Sequence, residues 1–83
     1  MSMERETLKQ TALAILRGIA PEIEPRDIED GRPLRDQVDL DSMDWLNFLI
    51  GLHQKLGVNI PESDYAQLVT LDKVLDYLQA RLP

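Results

Sequence analysis

Apolar residues recur at three- and four-residue spacing in three separate stretches of this chain, and that spacing limits what it can fold into. Over residues 3–19 the recurring residues are Leu8, Ala12, Ile15, Leu16 and Ile19. Over 71–82 they are Leu71, Val74, Leu75, Leu78 and Leu82. Between them, the stretch from Ser42 to about Leu56 is richer still. Such spacing gathers side chains on one face of an α-helix. No stretch alternates as a half-buried strand would, and Val58-Asn59-Ile60 is too short to count. The 83 residues contain no cysteine, so neither a disulfide nor a thiolate metal site can staple the fold. Stability must come from apolar packing, which a hydrophobic content of 43% allows. The expectation is an all-α fold in one domain over residues 1–83.

Boundary residues fix where these helices start and stop. Glu4 and Glu6 suit the positive end of the first helix, and Pro21 forbids its continuation. Asp41 is a good N-cap for the second, with Asp44 three residues on giving a box-like start. Gly57 is a good stop, and Lys55 complements the dipole in the last turn. Pro61 opens a short helix over Glu62–Leu68, with Tyr65 and Leu68 inward, and Thr70 caps the last helix. Residues 20–40 show no sustained period and read as a long loop. Within it, Pro25 can begin a single helical turn, and Ile28, Leu34 and Val38 can pin the loop to a core. The predicted architecture is a small four-helix bundle: three longer helices, one short helix, and a long loop after the first.

The helix from Ser42 carries two apolar stripes. With Met43 at zero and roughly 100° per residue, Trp45, Phe48, Leu49, Leu52 and Leu56 fall within about 140–240°, a full core face. Met43, Leu46 and Ile50 fall together at about 300–360°, on another side. The second stripe is either a docking strip for partner proteins or a second buried face of a central helix. Helical geometry alone leaves both readings open.

Charge narrows the partners. Fifteen acidic against nine basic residues give a net charge of -6. That argues against nucleic acid, whose phosphates demand a basic surface, and against anionic membranes. It suits basic partners, and it equally serves plain solubility. No apolar run is long enough to span a bilayer, and the polar start, Met1 to Glu6, has no signal-peptide core. These features fit a cytoplasmic monomer. His53 is the sole histidine and lacks a second ligand or nucleophile at useful spacing, so it reads as a surface residue. Asp27, Glu29 and Asp30 lack calcium-loop spacing, and Gly18 and Gly31 form no phosphate loop. Tyr65 and Tyr77 read as core edge. No metal site is expected.

Ser42 is the first residue inside the second helix, where backbone N–H groups are unpaired and favour an anion. A serine at a helix start ordinarily caps it. Here Asp41 serves as the cap, which leaves the Ser42 hydroxyl free to carry a phosphodiester. Leu40-Asp41-Ser42-Met43-Asp44 resembles the phosphopantetheine attachment motif of acyl carrier proteins. The likeness runs through the amphipathic first helix, the long loop, Gly57-Val58-Asn59-Ile60-Pro61 and the Thr70-Leu71 helix start. It implies a carrier, not an enzyme, with 4'-phosphopantetheine covalently on Ser42. A phosphopantetheinyl transferase would attach the arm from coenzyme A. The arm would then hold an acyl group as a thioester and deliver it to acyl-transferring or ligating enzymes of fatty-acid, lipid or related secondary metabolism. By the same resemblance Asp41, Met43, Asp44, Leu46 and Ile50 would face partners. Trp45, Leu49, Leu52, Ile60, Leu68 and Leu75 are candidates to line an acyl pocket.

The chain departs from that pattern at several places. Many fatty-acid carriers have glycine where this sequence has Asp39. Asn47, His53, Gln54 and Lys55 stand where such carriers are acidic, and Trp45 is bulky where many are small. The departures point to a specialised carrier in a dedicated lipid, polyketide or aminoacyl pathway. The alternatives are an aminoacyl or peptidyl carrier, or an unmodified helical interaction module that uses Met43, Leu46 and Ile50. A hydrolase using Ser42 is disfavoured, because no His or Lys base is evidently paired with it.

Overall fold

The three apolar stripes fold as three α-helices, and the residues at their boundaries set their ends. A computed structural model describes residues 4–82. The helices are α1 (Arg5–Ile19), α2 (Leu34–Gln37), α3 (Ser42–Leu56) and α4 (Leu71–Arg81). Two 3₁₀ segments, Pro25–Asp27 and Glu62–Gln67, complete the order. Met3, where the spacing starts the first helix, lies outside the described residues. Asp41 and Thr70 act as side-chain caps: Asp44 N–H donates to Asp41 and Lys73 N–H donates to Thr70. Gly57 ends α3 at φ 70°, a left-handed conformation that costs a glycine nothing.

The expected bundle of three longer helices and one short one is present, with one correction. The 20–40 connection is not only a loop with a turn at Pro25. It also forms the one-turn helix α2, which follows Pro33. Four residues hold too little of a 3.6-residue period to be read from sequence. The short helix after Pro61 is 3₁₀ rather than α and ends at Gln67, one residue before the expected Leu68.

The core lies where the stripes meet, with α1 packed on α3 and on α4. Leu8, Leu16, Phe48, Leu49, Leu52, Leu71, Val74, Leu75 and Leu78 are essentially inaccessible. Leu13 and Tyr77 join them although neither was assigned to a stripe, while Ile15, Ile19 and Leu82 are only partly buried. Tyr77 is buried with its hydroxyl donating to Asp64 at 2.5 Å. Burial, reinforced by that bond, pushes the phenol above its usual range. Leu34 and Val38 are buried and Ile28 packs against them, so all three pin the connection as expected.

Long-range polar links hold that connection in place. Leu34 N–H donates to Val69 O at 2.9 Å, and Asp72 N–H donates to Asp30 O at 3.0 Å. Pro33 and Thr70 form an isolated antiparallel bridge. The Gln37 side chain accepts from Glu29 N–H and donates to the carbonyls of Glu29 and Arg32. Lys9 pairs with Asp30 at 3.1 Å and so ties the loop to α1. The start of α3 is therefore approached by a fixed path.

Candidate functional site at the start of α3

Ser42 opens α3 and is exposed. Asp41 precedes it in an extended conformation, and its carboxylate accepts Asp44 N–H at 2.8 Å. The first helical bond runs from Trp45 N–H to Asp41 O at 3.0 Å. Asp41 thus satisfies the third N–H of the helix and leaves those of Ser42 and Met43 at the open end. Capping of this kind is worth about 1 kcal/mol, and the Ser42 hydroxyl takes no part in it. The arrangement presents an accessible primary hydroxyl beside two backbone donors and the positive end of a helix dipole. It accommodates a phosphodiester on that oxygen.

Exposure separates the two readings of the second stripe. Met43 is 65% exposed, Ile50 41% and Leu46 37%, whereas Phe48, Leu49 and Leu52 on the opposite side are buried. The stripe is a surface, not a second core face. Asp39 and Asp41 are exposed and Asp44 is half-buried, and all three lie within three residues of Ser42. Asn47, His53 and Gln54 continue α3 without negative charge. His53 is exposed, and its Nδ1 lies 2.8 Å from Val58 O. A carbonyl can only accept, so Nδ1 carries the proton, and His53 closes the end of α3.

The six pocket candidates do not converge on one space. Trp45 and Leu68 line an open cleft of about 300 Å³, together with Pro33, Arg35, Tyr65 and Val69. Leu49 and Ile60 line a smaller cleft of about 130 Å³ with Ile50, His53, Asn59 and Tyr65. Leu52 and Leu75 lie in the solid core. The Trp45 ring is half-buried and leans on Phe48, with centroids 5.4 Å apart and planes at 34°. Arg35 donates to Leu40 O at 3.2 Å, which joins one wall of the larger cleft to the segment leading into Ser42. Sequence reasoning missed Arg35 and gave Tyr65 no part in the pocket. A cleft of about 530 Å³ lies in the 20–40 connection, where Ile23, Ile28 and Val38 share the lining with Glu22, Glu24, Asp27, Arg32, Asp36 and Asp39. The carboxylates there suit an apolar chain poorly.

Among the described residues no group of three or more His, Asp or Glu side chains is placed to hold a metal ion. No helix among them is long and apolar enough to cross a membrane.

Known proteins resemble this chain in sequence and in fold. Residues 10–78 match the family described as the phosphopantetheine attachment site. The meromycolate extension acyl carrier protein of Mycobacterium leprae is 35% identical over 57 residues, 69% of this chain and 50% of that protein. The chain therefore spans about half the length of that relative. The acyl carrier protein of Acidothermus cellulolyticus is 24% identical over 78 residues, covering 94% of this chain and 92% of that protein. The solved acyl carrier protein of Enterococcus faecalis has the same fold, with a TM-score of 0.72 at 22% identity over 95% of this chain and 99% of that one. The match over residues 10–78 takes in the start of α3, the exposed strip and both clefts, and carriers of this kind hold 4'-phosphopantetheine covalently and are not enzymes. This chain belongs to the phosphopantetheine attachment site family, as a carrier protein of the acyl carrier type.

Proposed function

We propose that the Ser42 hydroxyl carries the phosphopantetheine arm and that the chain ferries acyl groups as thioesters between enzymes of lipid or related metabolism. The observation that carries this reading is the exposed hydroxyl at the first position of α3, relieved of capping by Asp41. In the attachment step Ser42 Oγ bonds to the arm's phosphorus as the diphosphate bond of coenzyme A breaks. Adenosine 3',5'-bisphosphate leaves, and the hydroxyl proton passes to the transferase. This chain supplies the nucleophile and its setting, and needs no base of its own.

Once attached, the phosphate lies at the helix end, with Asp39, Asp41 and Asp44 within three residues of Ser42. Those carboxylates oppose its folding back onto the surface. The arm is thereby biased outward, and tethering raises the concentration of its cargo at any docked enzyme. Partners are a phosphopantetheinyl transferase and acyl-transferring or ligating enzymes. They meet Met43, Leu46 and Ile50 with an apolar patch, and the Ser42 end with basic side chains. The names of the mycobacterial relatives favour a role in lipid chain extension.

Intact mass tests the attachment. The chain is incubated with coenzyme A, Mg²⁺ and a broad-specificity phosphopantetheinyl transferase. One phosphopantetheine is expected to add to the wild type and none to Ser42→Ala. No addition under conditions that modify a control carrier overturns the reading. An aminoacyl cargo would appear as loading by an amino-acid-activating ligase in place of an acyl ligase.

The strip has its own test. Ile50→Glu should change stability by no more than about 0.5 kcal/mol in a thermal melt, because Ile50 lies on the exposed side of α3. It should also slow modification by the transferase about tenfold or more, as expected for the loss of a central apolar anchor. Normal modification kinetics with a normal melt would remove Ile50 from the docking surface.

A further inference from the structure

The two clefts beside α3 share one wall, and that wall is Tyr65. On its first side lies the 300 Å³ space bounded by Trp45, Leu68 and Val69, next to the root of the arm. On its second side lies the 130 Å³ space bounded by Leu49, Ile50 and Ile60, farther down α3. Ile50 is eight residues beyond Ser42, about 12 Å along the helix at 1.5 Å per residue. Tyr65 is half-buried on the 3₁₀ helix Glu62–Gln67.

That segment is braced. Its Asp64 accepts the Tyr77 hydroxyl at 2.5 Å and lies 3.6 Å from Arg81, both on α4. Among the described residues Phe48, Leu52 and Leu75 are essentially inaccessible and line neither cleft.

We propose that Tyr65 is a length-limiting partition, which confines a tethered acyl chain to the Trp45 cleft and makes this protein a carrier of short to medium acyl groups. The proposal rests on the reading of Ser42 given above. The first cleft is about 300 Å³ and the second about 130 Å³, so joining them lengthens the apolar space open to a chain. A chain that fills the first cleft meets the tyrosine ring. Atoms beyond that point stay in water and add no burial, so they add no stabilisation.

The test loads one acyl group at a time. Acyl-phosphopantetheine is transferred from saturated acyl-coenzyme A thioesters, butyryl through palmitoyl, and intact mass verifies each product. The readout is the Tm of each acylated form relative to the form bearing the bare arm. In the wild type, Tm should rise with chain length and level off before palmitoyl, where the chain meets Tyr65. In Tyr65→Ala the levelling point should move to longer chains, because the second space becomes continuous with the first. Ile60→Phe, which fills only the second cleft, should leave the wild-type profile unchanged and cancel the gain in the Tyr65→Ala background. Tyr65→Leu carries the same test if the alanine variant does not fold.

An unmoved levelling point in the folded Tyr65 variant, or a wild-type Tm that keeps rising to palmitoyl, overturns the partition. A wild type that accepts no arm at all, beside a control carrier that does, overturns the Ser42 reading and the partition with it.

Discussion

Phe48→Ala should destabilise the fold by about 3–5 kcal/mol, measured by urea denaturation against the wild type. The side chain is fully inaccessible and contacts Trp45 on the core face of α3. Truncation loses the transfer free energy of the ring and leaves a cavity that the surrounding leucines can only partly fill. Total stabilities of small domains lie in roughly the 5–15 kcal/mol range, so this loss takes a large share. The variant should be near its unfolding midpoint at physiological temperature. The informative comparison is with Ile50→Glu, two residues away on the same helix. A charge placed at Ile50 should cost little, while a smaller apolar residue at Phe48 should cost most of the fold. A Phe48→Ala loss under about 1 kcal/mol would mean that the two faces of α3 have been exchanged.

Gly51→Val should destabilise by about 1–3 kcal/mol, for the opposite reason. Gly51 lies mid-helix at the contact between α1 and α3, where an added Cβ would sit 2.7 Å from Ile15 Cγ2. Glycine there costs about 1 kcal/mol in helix propensity relative to alanine, and the sequence bears that cost to let the two helices approach. Valine adds two further methyl groups against a β-branched neighbour that has little rotamer freedom. The cause is checked by a double-mutant cycle. Ile15→Ala should cost less in the Gly51→Val background than alone, with a coupling of at least about 0.5 kcal/mol. Additive losses would place the strain elsewhere.

Glycine at position 51 illustrates what the sequence concealed. Mid-helix, it breaks no local rule beyond a modest propensity cost, and only the partner helix gives it a reason. By contrast the ends of α3 were legible, because Asp41 and Gly57 act within one turn of themselves. The cap at Thr70 is local in the same sense. So too was the apolar strip, although periodicity alone could not tell a docking surface from a second core face. That distinction depended on which side α1 and the 3₁₀ helix would cover.

The helix α2 was illegible because its support is remote: Val69 accepts the N–H of Leu34 from across the fold. Gln37 likewise looked like one more polar loop residue, yet it bonds to three backbone groups. Among the candidate site residues, Ser42 stands out from its neighbours in sequence. Tyr65 does not, since the two spaces it separates exist only once the 3₁₀ helix has docked.

The links between Asp30 and Asp72 and between Leu34 and Val69 also bear on the order in which the molecule assembles. Each joins residues far apart in the chain, so each must close a long loop before it returns any stabilisation. The pairing of α1 with α4 closes a longer stretch of chain than either link, so the links form with the helix packing or after it. Leu34 and Val38 stay in the shared core, so any native opening is confined to the exposed residues around Gly31 and Arg32. Such an opening loosens the path into Ser42 and moves the lip of the Trp45 cleft, of which Pro33 and Arg35 are part. The backbone that steadies the start of α3 is thus also the part of the fold that yields first.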